Sequence, residues 1–205
     1  MVGEKNKRCL MSAEERKAHI VCKAACLFAR RGFAGTTSAA LAKECGVSEA
    51  LIYKLFKNKQ GLYQAIVEAM LRSWDPLELD AEDPRELEAV LTDIAERIFA
   101  QTKGEPDFVR LLYHSELDQS EVAALFLDVR AGQSLGALAG YFSRRRDLGE
   151  LRDDLDPRMC AASFLSMTWH YAIGLHVFDR GRWLPGDEPE LIRTFAAIFS
   201  GGLRA

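Results

Sequence analysis

Between Thr36 and Lys59 the chain collects hydroxyl and ammonium groups around a single region: Thr36, Thr37, Ser38, Ser48, Tyr53, Lys54, Lys57 and Lys59, with Glu49 among them. Hydroxyls, backbone N–H groups and ammonium ions donate to phosphate oxygens, which holds a nucleic-acid backbone without reading its sequence. Thr36, Thr37, Tyr53, Lys54 and Lys59 suit that task. Ser48, Glu49, Ala50 and Leu51 suit another, because Glu49 can accept from cytosine N4 while Ala50 and Leu51 can touch thymine methyls. A second set is His19, Cys22 and Cys26, spaced i, i+3 and i+7. Two thiolates and an imidazole could hold zinc or copper(I), or the thiols could sense oxidants. No fourth ligand is evident, so no metal or other cofactor is expected. The four histidines form no motif and no nucleophile stands beside a base at a recognisable spacing. Enzymatic activity is therefore not expected.

The elements that must position the first set are short helices. Thr37 is a good N-cap, and Ala39, Ala40, Leu41 and Ala42 favour helix after it. Gly46 stops that helix, since glycine enters the left-handed region without a Cβ penalty. Ser48 caps the next helix. Leu41, Ala42, Val47, Ile52 and Phe56 would fill the inside of the corner, leaving Ser48, Glu49, Ala50, Lys54 and Lys57 outside. A short apolar corner with a small, polar, partly basic outer face suits a helix that enters a DNA major groove.

Residues 28–62, FARRGFAGTTSAALAKECGVSEALIYKLFKNKQGL, resemble the DNA-binding region of the TetR family of bacterial transcriptional regulators. The resemblance rests on Phe28, Gly32-Phe33, Thr36-Thr37, Leu41-Ala42, Gly46-Val47-Ser48, Ile52-Tyr53, Phe56, Lys59 and Leu62. Ala50 and Leu51 depart from the Gly-Thr common there, and Leu55 stands where His or Tyr is usual. The resemblance implies that Thr37, Tyr53 and Lys59 contact phosphates and that Cys22 and Cys26 take positions commonly polar. It also implies a homodimer whose four-helix interface is made by the last two helices, and an effector bound in the second domain.

The net charge of −3 over 205 residues conceals an asymmetry. Residues 1–72 hold 13 basic against 6 acidic side chains, and residues 73–205 hold 14 against 24. A basic first third on an acidic remainder suggests polyanion binding confined to one end. Five cysteines fit no disulfide framework, and the charged start lacks an apolar signal core. Both point to a reducing cytoplasm.

The whole chain reads as all-α, with about nine helices. Residues 1–11 form a basic tail. Ser12 and Glu15 make a capping box that opens a helix to about Arg31, and helices follow over about 37–45, 48–56 and 59–74. Residues 12–58 are the helix-turn-helix domain, 59–74 a connecting helix, 75–84 an acidic, proline-bounded linker, and 85–205 a helical ligand-binding and dimerisation domain. Within that last domain helices are expected from Arg85, over 106–117, 120–146, 157–180 and 188–203.

Residues 159–178 carry no formal charge, yet Ser163, Ser166, Thr168, His170 and His176 interrupt every face and no basic flank marks a side. Such a helix is buried on two sides, against its own domain and against a partner subunit, rather than in a membrane. Phe164, Trp169, Phe195, Ile198 and Phe199 are the expected dimer residues. Phe99, Leu112, Tyr113, Phe126, Met167, His170 and Tyr171 are the expected pocket residues. Gly132, Gly136 and Gly140, at i, i+4 and i+8, suggest a close helix crossing, because each costs about 1 kcal/mol against alanine.

The reading is a ligand-responsive, homodimeric DNA-binding repressor. Its two recognition helices would sit about 34–36 Å apart to meet successive turns of a palindromic operator. A small apolar or aromatic molecule would release it. The alternative is a small-molecule, metal or redox sensor that acts through a protein partner.

Overall fold

The computed structural model describes residues 11–73, 76–117, 127–178, 181 and 187–204. Among them are nine α-helices, one π-helical turn over Leu127–Ala131 and a single isolated bridge between Leu151 and Arg204. The chain divides into two compact units between Met70 and Leu71. Phe126 and position 74 of the connecting helix lie outside the described residues, as do 1–10 of the tail and 120–126 of the expected long helix.

The first unit holds α1 (Ala13–Arg31), α2 (Ser38–Cys45), α3 (Glu49–Phe56) and most of α4 (Lys59–Ser73). The start of α1 is a reciprocal capping box: Glu15 N donates to Ser12 Oγ at 3.1 Å, and Ser12 N donates to Glu15 Oε2 at 2.7 Å. That bonding, from the Ser12 amide above all, holds the Glu15 carboxyl below the usual carboxylate range. Ile20, Ala24, Leu27 and Phe28 of α1 are buried. Phe28 meets Tyr63 of α4 edge-on, with ring centroids 5.1 Å apart, and Phe33 meets the same tyrosine at 5.1 Å. T-shaped pairs of this kind contribute about 0.5–1.5 kcal/mol beyond the area they bury. They fix α1 against α4 and so define the floor on which α2 and α3 stand.

The second unit contains α5 (Leu87–Gly104), α6 (Pro106–Leu117), α7 (Gly132–Asp147), α8 (Pro157–His176) and α9 (Glu188–Leu203). Asp156 and Asp187 cap α8 and α9, with a proline in the first turn of each, where its missing N–H would be unpaired anyway. α7 packs on α8, and α5 packs on both α8 and α9. Phe99, Leu138, Tyr141, Phe142, Phe164 and Ala196 are at the centre of this core. The acidic stretch after Pro76 lies on this unit. Leu77 and Leu79 pack against the core, and Leu77 N donates to Ser134 Oγ at 3.1 Å. Arg145 ties the same stretch down by donating to the carbonyls of Asp83 and Arg85.

Two sequence expectations are corrected here. The glycines at 132, 136 and 140 support no close crossing, since a Cβ at any of them would meet nothing within 4 Å among the described residues. Phe164 is fully buried in its own core, where it meets Phe199 edge-on at 5.1 Å, so it is not a residue a partner can touch.

Candidate nucleic-acid interface and effector cavity

The corner between α2 and α3 is built almost entirely by its caps. Thr37 Oγ1 accepts from Ala40 N at 3.2 Å, and Ser48 Oγ accepts from Leu51 N at 3.2 Å. Between them Gly46 adopts φ 66°, ψ 33°, and Val47 N returns to Ala42 O at 3.0 Å. That left-handed residue lets the chain reverse within three positions. Leu41, Ile52 and Phe56 are buried inside the corner. The opposite face of α3 presents Ser48, Glu49, Ala50, Tyr53, Lys54 and, at its end, Lys57, all exposed, with Leu51 half-buried. Tyr53 is 43% exposed, and its Oη donates to Ser38 Oγ at 2.7 Å, which holds the phenol at the start of α2. Thr37 is exposed beside it.

Thr36 and Lys59 are placed differently from the expectation. Thr36 is fully buried and its Oγ1 donates to Gly32 O at 2.7 Å, so its side chain closes the α1–α2 turn and cannot reach a phosphate. Lys59 Nζ donates to Phe33 O at 2.9 Å and to Thr36 O at 3.0 Å, and lies 4.1 Å from the centre of the Phe33 ring. Two of its three N–H donors thus bind the protein's own backbone. The ammonium is first a pin across the unit. The sequence motif contains this lysine but carries no sign of its partners, which lie 26 and 23 residues earlier.

In α1, His19 and Cys22 are exposed and Cys26 is half-buried. Among the described residues no three His, Cys, Asp or Glu side chains gather as metal ligands would. Cys45 is buried, and burial pushes its thiol above the usual cysteine range.

The second unit contains a cavity of about 530 Å³. Leu77, Ile94, Ile98, Leu112, Leu165 and Trp169 form its apolar wall, and Arg97, Gln101, Arg130, Ser134 and Ser166 its polar positions. Of the seven residues expected to line a pocket, Leu112 does so. Phe99 is fully buried in the core, Met167 and Tyr171 pack against that core, and Tyr171 meets Phe195 at 4.7 Å. His170 is exposed, and Tyr113 turns to Phe178 at 6.0 Å. Trp169, expected at a dimer interface, is half-buried and lines the cavity. The expectation chose aromatic residues by type, but among the described residues the wall is aliphatic apart from Trp169, and helical phase rather than residue type decides which positions line it. Of the other expected interface residues, Phe195 is buried, Phe199 is half-buried and Ile198 is 64% exposed.

A capped two-helix corner with a hydroxyl- and lysine-bearing outer helix is the helix-turn-helix of a DNA-binding protein. Residues 20–66 match the model of the bacterial regulatory proteins of the tetR family. The chain is 30% identical over 185 residues to the probable HTH-type transcriptional regulator ArpR of Pseudomonas putida, covering 84% of this chain and 81% of ArpR. It is 24% identical over 173 residues to the HTH-type transcriptional repressor NicS of Pseudomonas putida KT2440, covering 82% and 80% of the two chains. Among solved structures it is similar to AibR, crystallised with isovaleryl coenzyme A and operator DNA, at a TM-score of 0.64 and 23% identity over 92% of this chain and 98% of that one. The protein belongs to the tetR family and is a DNA-binding transcriptional regulator. Among the described residues no helix is long and apolar enough to cross a membrane.

Proposed function

We propose that this protein is a homodimeric repressor that binds a roughly palindromic operator and is released by a small apolar or aromatic molecule. The observation that carries the DNA half is the outer face of α3, where Ser48, Glu49, Ala50, Tyr53 and Lys54 are exposed and Leu51 is half-buried. In this reading Ser48, Glu49, Ala50 and Leu51 meet base edges, while Thr37, Ser38, Tyr53, Lys54 and Lys57 hold phosphates. Repression is the described role of NicS.

Dimerisation is supported by an unpartnered face of the second unit. Met159 of α8 and Ile198 of α9 are 67% and 64% exposed, with Ser163, Ala197, Gly201 and Gly202 exposed on the same two helices. Small residues around two large apolar ones suit close helix packing. The cavity supports an effector of drug-like size, and its charged lining residues are both arginines, which disfavours cations. Its occupation would act on DNA binding through α4, which carries the chain from one unit to the other. A coupling of about 1–3 kcal/mol would change DNA affinity about 5–150-fold.

The test is selection of duplex DNA from a random pool by the purified protein, with its mass in solution measured alongside. The reading expects an inverted repeat bound by a dimer. Binding that is weak, blind to sequence and monomeric would refute it.

A further inference from the structure

We infer that the cavity of the second unit takes an amphipathic organic acid, a carboxylate on an apolar ring or chain, with its acid toward Arg97 and Arg130. The inference rests on the effector reading above and gives that effector a charge and an orientation. Among the described residues the lining carries two guanidinium groups and no carboxylate. Gln101, Ser134 and Ser166 add hydrogen-bonding groups, and the other lining side chains are apolar apart from the Trp169 indole N–H. The two kinds of group are segregated by depth. Ile94 and Leu112 are 2% and 5% exposed, and Ile98, Leu165 and Trp169 are half-buried. Arg97 and Ser166 are exposed, with Gln101, Arg130 and Ser134 half-buried. The deepest positions are apolar, and the most open side chains larger than alanine are polar. A wholly apolar ligand would strip water from the half-buried Arg130 and offer it nothing, which is costly. A cation would meet charge of its own sign. An acid with an apolar body suits both ends.

Helical phase gathers these groups. Arg97 and Gln101 stand four residues apart on α5, and Ile94 and Ile98 share their face. Arg130 and Ser134 are also four apart, across the junction of the π-helical turn Leu127–Ala131 with α7. Single π-helical turns occur frequently at functional sites. This one carries Arg130 and Ala131 into the lining. Arg97 gives Nε and Nη2 to Asp93 at 3.4 and 3.0 Å, which holds its guanidinium in one place. Asp93 is itself shared with Arg85 at 3.5 Å and stands outside the lining. A guanidinium has five N–H donors, so one carboxylate partner leaves donors for a second. Ser134 Oγ accepts from Leu77 N at 3.1 Å, which leaves its own O–H as a donor. Guanidinium forks match a carboxylate in a way that neutral amides do not.

The experiment is isothermal titration calorimetry of the full chain at neutral pH with acids and their primary amides, matched in size and shape. The probes are benzoate, 2-naphthoate and octanoate against benzamide, 2-naphthamide and octanamide. At least one acid should bind about tenfold more tightly than its amide, the scale of one charge-assisted hydrogen bond. R130Q should weaken that acid about tenfold while its amide binds as before, and R130K should keep part of the preference. R97Q should lower the preference only about two- to threefold, because Arg97 is exposed. The wild-type comparison decides the inference whether or not R130Q folds. Amides that all match or exceed their acids would overturn it, as would uptake of neither series. A preference unchanged in both R130Q and R97Q would place the acid elsewhere and overturn the site. The effector reading fails separately, if 1-anilinonaphthalene-8-sulfonate fluoresces equally with wild type and with L165W, whose larger side chain fills the cavity.

Discussion

Lys59 offers the sharpest test of how the first unit is held together. Replacing it with methionine keeps most of the stem and removes the ammonium. That loses two charge-assisted bonds, 2.9 Å to Phe33 O and 3.0 Å to Thr36 O, and the cation 4.1 Å from the Phe33 ring. Hydrogen bonds to a charged donor contribute about 1.5–3 kcal/mol each, and a cation over an aromatic face about 0.5–2 kcal/mol. Lys59 is only half-buried, so water recovers part of each, and the lower ends apply. The expected loss is about 2–4 kcal/mol. Because Thr36 is fully buried, its carbonyl is the group that water replaces least well. The assay is urea unfolding of the full chain, with hydrogen exchange read on peptides covering residues 28–63, since the two units need not unfold together. Lys59→Met should melt out protection in those peptides first. Tyr53→Phe is the control, because it loses one neutral, exposed bond to Ser38, worth about 0.5–1.5 kcal/mol. If Lys59→Met unfolds and exchanges like wild type while the salt slope of DNA binding falls by about one, Lys59 is an outward phosphate contact and the pin is refuted.

Phe99→Ala should destabilise the second unit by about 3–5 kcal/mol in urea unfolding, as expected for a fully buried core aromatic. A small effect accompanied by a larger binding cavity would return it to the pocket wall. Leu165→Trp places a large side chain into the cavity of about 530 Å³, and should abolish enhancement of 1-anilinonaphthalene-8-sulfonate fluorescence while DNA binding persists. Alkylation by iodoacetamide, followed by peptide mass, should label exposed Cys22 well before buried Cys45. Burial raises the Cys45 pKa, so its thiolate is scarcer at a given pH and its labelling should accelerate only as pH climbs above the ordinary cysteine range. Labelling of Cys45 alongside Cys22 at neutral pH would show that the first unit opens readily.

Much of this architecture was legible in the sequence because its determinants are local. The boundaries of α1, α2 and α3 follow from Ser12 with Glu15, Thr37, Gly46 and Ser48, each of which acts on backbone groups within about four residues. The start of α8 at Pro157 was legible in the same way, because proline suits the first position of a helix. The outer face of α3 was equally readable, since 3.6 residues per turn fix which of its side chains share a side.

Where an outcome depended on distant partners, residue type gave no guidance. A threonine and a lysine in a DNA-binding motif look like phosphate ligands, but Thr36 is folded inward onto Gly32 O, and Lys59 finds carbonyls 26 and 23 residues away. Aromatic residues look like pocket walls or interface contacts, but Phe99, expected in the pocket, and Phe164, expected at the interface, both fill the core, while Ile94, Ile98 and Leu165 line the cavity with Trp169. The left-handed backbone of Lys57, at φ 66°, has no sequence signature either, because residue type alone points to glycine for that region. The sequence by itself determined where helices begin and end and which family the corner belongs to, through short-range hydrogen bonds and helical phase. Only the tertiary structure decided which of those helical faces look inward, because burial is a property of every helix packed against a side chain and not of the side chain alone.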